Sequence, residues 1–316
     1  MKLKDIYELA ISLGKRHDPR GDEIGAVLKR EQEAYEGLKD SDKEPYDVAA
    51  LTNPYSDTRI LQGSGDETVK VVMTGIDIET PEILLADRLK SKGQPIDALI
   101  AHHPEGIAQA ALHQVMAVQA DMLAQAGVPI SIAEGIMETR IAEVHRTLMP
   151  VNHQRAVDAA RLLGLPFMCV HSPADNLANH YLNNLLAGNA CRTVQDVLES
   201  LLSIPEYHLA RQLKAGPQLI VGDKKRRAGQ IFVKMTGGTG GSEKSYEQLA
   251  AAGVGTVIAM HMTDKHRRAA KDNHINVIIA GHMASDSLGM NLFLDELEKE
   301  GIAILPCAGL LRVKRQ

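Results

Sequence analysis

The chain is predicted to be an α/β protein of two similar halves, carrying a helical N-terminal extension and a helical insertion. Three observations predict this. Apolar, β-branched runs alternate with helical periodicity over residues 69–101 and again over 256–299. One run in each half ends in histidine: DALIAHHP at His102 and His103, and INVIIAGHMASDSLG at His282. Residues 1 to about 50 and 107–160 are rich in helical patterns instead.

Taken in order, Ile6, Leu9, Ala10 and Leu13 fall at helical spacing in a heavily charged segment that reads as accessory. NPYSD breaks the pattern, and LQGSGDET is a turn-rich lead into a strand at 69–74. Thr80, Pro81 and Glu82 start a helix over 81–92 that Gly93 closes, since Thr caps, Pro suits the first turn and Glu favours the positive end of the helix dipole. A strand at 97–101 completes a βαβ unit whose strands are expected to be parallel. After the insertion, a strand at 167–170 delivers HSPADN, with Asp175 opening a helix over 176–186. Helical pieces follow on TVQDVLESLL and PEYHLARQL, then LIVGDKKRRAGQIFVKM reads as a hairpin around a basic turn. TGGTGGS leads into a helix at 244–252, and strands at 256–260 and 275–280 alternate with helices at 263–272 and 287–299. The expected division is an extension at 1–55, a first α/β domain at 56–190 with the insertion at about 107–165, and a second α/β domain at 191–316.

Composition narrows the function classes. With 316 residues, 44% hydrophobic and 24% charged, the chain can bury an ample core. A net charge of −5, 3% aromatic residues and no Trp argue against nucleic-acid binding, which needs basic surface and stacking platforms. Cys169, Cys191 and Cys307 are odd in number and without CxxC spacing, so neither a disulfide framework nor a thiolate metal site is expected. No apolar run approaches the roughly 20 residues of a membrane span. A soluble, unprocessed, cytoplasmic protein is the expectation.

The chemistry concentrates at strand ends. His282 and Asp286 are spaced i, i+4, and so share one helix face if the helix starts promptly; His171 and Asp175 repeat the spacing. With His102 and His103 these make four imidazoles and two carboxylates, enough to hold one or two divalent cations. Residues leaving the carboxyl ends of neighbouring strands converge in one crevice, which is what a shared ion needs. Nitrogen and oxygen donors without sulfur favour zinc, with manganese or iron as the other options. Two divalent ions against two aspartates leave positive charge for a small anionic substrate, so hydrolysis by metal-activated water is the expected use. A non-enzymatic binding or scaffold protein stabilised by metal is the alternative.

Other features have plainer readings. TGGTGGS lacks the order of a phosphate-binding loop and reads as a close-packing turn. The basic run from Lys224 to Arg227 reads as a solvated turn, and the Met and Ala stripe of the insertion as core. Glu105 and Glu134 are open as acid or base groups, while His113, His145, His153, His180, His208, His266 and His274 have no visible partners.

LIAHHPEG, HSPADN and VIIAGHMASDSLG resemble the three metal-binding signatures of the GTP cyclohydrolase I type 2 homologues, also called the NGG-one-interacting factor three family. LQGSGDETVKVVMTGID, with Asp77, and VKMTGGTGGSEKSYEQLAAAGVGTVIA resemble that family's opening strand and Gly-rich loop, so the likeness spans about 59–106 and 166–312. The resemblance implies a two-domain α/β protein with a dinuclear metal site in the cleft between its halves, assembled as a homo-oligomer, often a hexameric ring. It implies His102, His103, Asp175, His282 and Asp286 as ligands with His171 beside them, and a water-dependent ring-opening activity on a nucleotide. Three departures stand out. Asp286 replaces the usual Glu, which leaves open whether it bridges two ions. Met260 and His261 stand where the family tends to carry Gly-Glu. The insertion and the extension are additional.

Overall fold

A computed structural model describes residues 1–315. Nine strands, β1 (Arg59–Gln62), β2 (Val71–Gly75), β3 (Ala98–Ala101), β4 (Phe167–Cys169), β5 (Gln218–Val221), β6 (Gln230–Lys234), β7 (Val254–Ala259), β8 (Asn276–Ile279) and β9 (Ala303–Cys307), form two sheets. The orders are β1-β4-β3-β2-β9 and β5-β8-β7-β6. In each sheet three successive strands run parallel, β2-β3-β4 and β6-β7-β8, and the preceding strand pairs antiparallel at the edge. The halves thus share one topology, and the expected parallel βαβ unit is present in both.

Helices complete the layers. In chain order they are α1 (Leu3–Arg16), α2 (Glu23–Glu36), α3 (Asp40–Lys43), α4 (Thr80–Ser91), α5 (Gly106–Ala110), α6 (Val118–Gln125), α7 (Ile130–Leu148), α8 (Arg155–Leu163), α9 (Ser172–Gly188), α10 (Val194–Leu202), α11 (Pro205–Gln212), α12 (Ser245–Ala251), α13 (Asp264–Asp272) and α14 (His282–Lys299). α4 and α8 cover the outer face of the first sheet with Ile83, Ala86, Ala156 and Ala160. α9 and α14 form the middle layer. Leu177, Met290, Phe293 and Leu297 reach the first sheet, while Leu182, Leu186, Ala284 and Leu288 reach the second. A helix packed on two sides is buried around most of its circumference, as α14 is from Ala284 to Leu297, its polar residues there included.

Five expectations need correction. α1 is not accessory: Leu3, Ile6, Ala10 and Leu13 are buried in the first core, and only α2 and α3 beyond it bury nothing. The residues 218–234 are not a hairpin. β5 and β6 lie at opposite edges of the second sheet, and the basic segment between them runs alongside residues 192–195, where Val194 N–H donates to the Arg226 carbonyl (2.9 Å). Local pattern cannot separate a hairpin from a crossing, because both are two extended runs joined by polar residues. Asp175 does not open its helix, which begins at Ser172, and α14 begins at His282 rather than 287. Gly281, at φ +105°, makes the sharp exit from β8 that starts α14 early. β1 and β9 carried no strand signal, and β9 returns from the end of the chain to pair with β2.

The insertion takes an unexpected route. α6 and α7 leave the first sheet and cover the outer face of the second, packing Leu123, Ala133, Met137 and Val144, with Met116 from the turn before α6, against Val257 and Val277. Its Met and Ala stripe is core, as read.

The crossing of α9 and α14 is the tightest contact that bears on the strand-end residues. A Cβ placed on Gly289 would lie 2.2 Å from the Ala174 carbonyl oxygen, which is helix backbone and cannot move aside. Gly289→Ala is expected to lower unfolding free energy by about 3 kcal/mol or more, at the upper end for overpacking, read as a fall in the urea midpoint at unchanged slope.

Candidate metal centre

Each strand end is held before it reaches the pocket. The ladder between β2 and β3 continues past both strands, with the His102 and His103 amides donating to the carbonyls of Gly75 and Ile76 (2.9 Å each). The His171 amide donates to Thr58 Oγ1 (3.1 Å). His171 precedes the first residue of α9, which sets Asp175 one turn into that helix, and His282 and Asp286 repeat this on α14.

The six predicted residues converge. His102 Nε2 lies 3.5 Å from Asp175 Oδ1 and 3.6 Å from Asp286 Oδ1. His103 Nε2 and His282 Nε2 lie 3.4 and 3.5 Å from Asp286 Oδ2, and His171 Nε2 is 4.0 Å from Asp175 Oδ2. Three overlapping groups, His102 with His103 and His171, His103 with His282 and Asp286, and His102 with Asp175 and Asp286, each place their donor atoms within 4.8 Å of one another. A buried His/Asp cluster of this make-up could hold a metal ion.

The opposite edge of three imidazoles is anchored. His102 Nδ1 meets the Val170 carbonyl (3.0 Å), His103 Nδ1 meets Asp77 Oδ1 (2.7 Å) and His171 Nδ1 meets Asp57 Oδ2 (2.8 Å). A carbonyl or ionised carboxylate only accepts, so each Nδ1 carries the hydrogen and each Nε2 is left facing the pocket. This carboxylate–imidazole pairing is what orients ligands around metals. Asp57 was not foreseen. It is fully buried, also accepts from Ser172 Oγ (2.6 Å), and is separated from His171 by 114 residues, so no local spacing marks it.

Donor atoms inside the pocket have nothing to bond. Among the described residues, His102 Nε2, Asp175 Oδ1 and both Asp286 oxygens are buried with no hydrogen-bond partner. Each such group costs about 1–3 kcal/mol if left so, and four at one point are the mark of a cation-binding donor set. Burial pushes Asp175 up to about 8 and His102 down to about 4. For His103 burial works the same way, but Asp286 and Asp77 outweigh it and raise the imidazole to about 10. Asp286 is disfavoured by burial yet held far below the usual carboxylate range by His102, His103 and His282.

The remaining candidates sort themselves. His261 stands two residues past β7, as His103 stands two past β3, and its ring is 5.0 Å from that of His282, but it joins none of the three groups. Glu105 is half-buried and raised to about 7 by burial and by Glu79; Glu134 is exposed on α7. All three cysteines are free, and Cys169 Sγ turns to the Asp57 and Arg59 carbonyls, away from the pocket. The pocket opens into a cleft of about 900 Å³, its mouth included, which is lined by His171, Asp175, His282 and Asp286 on one side and the loop 236–240 on the other.

Two outcomes follow for cation binding. His103 and Asp175 both have raised pKa values and must lose their protons to offer Nε2 and a carboxylate, so affinity should rise steeply with pH up to about 8 and more gently from there to about 10. Calorimetry of zinc binding at pH 7 in buffers of different ionisation enthalpy should register about two protons released per chain, and none released would contradict this protonation state. Asp57→Asn, which keeps the shape and removes the charge behind His171, should weaken zinc binding about 10–100-fold in a competition titration.

No family model matches the chain, and no curated protein does. Solved structures do. A NIF3 superfamily protein from Sphaerobacter thermophilus aligns at 28% identity and a TM-score of 0.72, over 81% of this chain and 92% of that one. Reduced HcgD from Methanocaldococcus jannaschii aligns at 15% identity and 0.49, over 89% and 97% of the two chains. A Bacillus cereus protein related to NIF3 aligns at 10% and 0.45, over 97% and 96%. The last two are too distant to bear on the site. The first agrees in fold with this chain over most of both, so the chain's structural neighbours are NIF3 superfamily proteins, in keeping with the resemblance carried by its three histidine-bearing strand ends.

Proposed function

We propose that the chain is a metal-dependent hydrolase acting on a small anionic, nucleotide-like substrate, with His102, His103, His171, Asp175, His282 and Asp286 as the metal-holding residues. The observation that carries it is the set of four buried, partnerless donor atoms at the floor of an open cleft. Two ions are favoured over one, because Asp286 offers Oδ1 toward His102 and Oδ2 toward His103 and His282, so the shorter side chain still faces both ways. Zinc is the first choice and manganese or iron the others, since the donors are nitrogen and oxygen only.

A divalent ion held by these residues would supply Lewis acidity to a substrate oxygen and lower the pKa of water. The chain does the rest. Asp57, Asp77 and the Val170 carbonyl hold three imidazoles by their far edges, so the pocket is preorganised before anything enters. Glu105, at about 7, is able to take or give a proton near neutral pH beside His103 and Asp77. The proposal includes a homo-oligomer and a cytoplasmic setting. No helix among the described residues is long and apolar enough to cross a membrane.

The scaffold reading has one observation in its favour: the donors come from both halves, Asp175 on α9 and Asp286 on α14, so an ion would tie them together. Openness argues the other way. Structural sites are closed, whereas the His282 side chain here is 39% exposed to the cleft.

Elemental analysis of protein purified without chelator should give one to two equivalents of metal per chain, about two on reconstitution. Hydrolysis across a panel of nucleotides and phosphoesters should fall at least about 100-fold in Asp286→Asn, with metal content falling in parallel. Metal loss that unfolds the protein, with no turnover on any substrate, would establish the scaffold instead.

A further inference from the structure

The cleft has a second wall that the metal-holding residues do not explain. The loop 236–242 crosses it, and its carbonyls are tied down from behind. Gln119 Nε2 on α6 donates to the carbonyls of Gly237 (2.6 Å) and Thr239 (2.9 Å), Arg140 Nε on α7 donates to that of Gly240 (3.1 Å), and His266 Nε2 on α13 bonds that of Gly241 (2.9 Å). Among the described residues, the amides of Gly238, Gly240 and Gly241 donate to no backbone or side-chain acceptor. The loop has spent its acceptors and kept its donors.

Two cations stand at the same place. Lys234, the last residue of β6, approaches the loop so closely that a Cβ on Gly241 would lie 2.7 Å from its Nζ. It is half-buried, and among the described residues no carboxylate lies within ion-pairing distance of it. Arg140 lines the cleft beside it, with Glu143 (3.1 Å from Nη1) as its one acidic partner. Burial, then Arg140, lowers Lys234 to about 8, so it is still charged at neutral pH. A lysine pressed toward a second cation without a counter-charge is costly unless an anion joins them. Glu243, just past the loop, acts on His266 instead.

The spacing to the metal pocket is short. A Cβ on Gly240 would touch the His261 ring at 3.6 Å, and that ring is 5.0 Å from His282. We infer that Lys234, Arg140 and the free amides of residues 238–241 form a phosphoryl-binding subsite beside the metal pocket, with the insertion supplying both its arginine and, through Gln119, the shape of its loop. Guanidinium, ammonium and converging amides are the donors that suit three phosphoryl oxygens. The subsite names where the anionic end of the substrate sits, and so depends on the proposed hydrolase for its purpose but not for its binding.

The test is calorimetric titration of the purified protein with inorganic phosphate, a nucleoside monophosphate and the unphosphorylated nucleoside, with metal content measured on each sample. Arg140→Gln and Lys234→Gln should each weaken phosphate and nucleotide at least about tenfold while leaving metal content unchanged, and Lys224→Gln, on the exposed basic turn, should change neither. Lys234→Gln should also raise the thermal midpoint, since it removes a buried charge; should it fail to fold, Arg140→Gln on the half-exposed face of α7 decides alone. Phosphate binding that survives Arg140→Gln and Lys234→Gln but vanishes in Asp286→Asn would place the anion on the metal and overturn the subsite. Nucleoside binding as tight as the monophosphate would overturn it as well. Protein that holds no metal yet binds phosphate through Lys234 and Arg140 would keep the subsite and remove the hydrolase.

Discussion

Two aspartates occupy one buried pocket because α9 and α14 cross closely between the sheets, with Gly289 on the Ala174 carbonyl. Everything else about the centre depends on that crossing. Had either helix carried a side chain at the contact, Asp175 and Asp286 would part, and the imidazoles arriving from β3 would have no common partner. Burying both faces of these helices between two sheets explains why α14 is buried nearly all round, and why the polar side chains it carries there are bonded. Ser285 Oγ bonds the Gly281 carbonyl (2.6 Å) and Asn291 Nδ2 bonds Glu206 Oε1 (2.7 Å). Asp286 alone has both oxygens unmatched.

Electrostatics then forces the pocket toward a cation. Imidazole rings 4.8 to 5.3 Å apart cannot all be protonated, and two carboxylates in the same dry volume cannot both ionise without positive charge nearby. The protein meets this by dividing the burden: Asp286 stays ionised against His103, while Asp175 keeps a proton to about pH 8. A divalent ion bound there would replace those protons with a fixed charge. The anchored Nδ1 edges ensure that it meets lone pairs rather than N–H groups.

The shared strand order gives each half the same exit, from a parallel strand into a helix with histidine and aspartate four residues apart. The halves differ at the neighbouring strand. β3 delivers two histidines to the pocket, whereas β7 delivers Met260 and His261 to the cleft wall. Symmetry of fold therefore yields an asymmetric centre, with four of the six clustered residues from the first half and two, His282 and Asp286, from the second. The insertion covers the second half from outside, through α6 and α7 on the second sheet's outer face.

How far the sequence alone could go is clear from particular residues. Short, continuous apolar runs marked β3, β4, β7 and β8, and the polar groups ending them marked the strand-end clusters, because both signals lie within a few residues. The i, i+4 spacing of His171 with Asp175 and of His282 with Asp286 was likewise local, and a helix makes such pairs neighbours wherever it sits. Asp57, reaching His171 across 114 positions, and Arg140, reaching Gly240 across 100, left no such mark. Nor did the return of β9 to β2, or the separation of β5 from β6 to opposite edges. The sequence by itself determined most of the strands and helices and which of them end in histidine and aspartate. Only the tertiary structure decided which ends meet, what stands behind each imidazole and what faces them across the cleft, because those are set by which apolar faces bury one another, and many distant pairings satisfy the same local pattern.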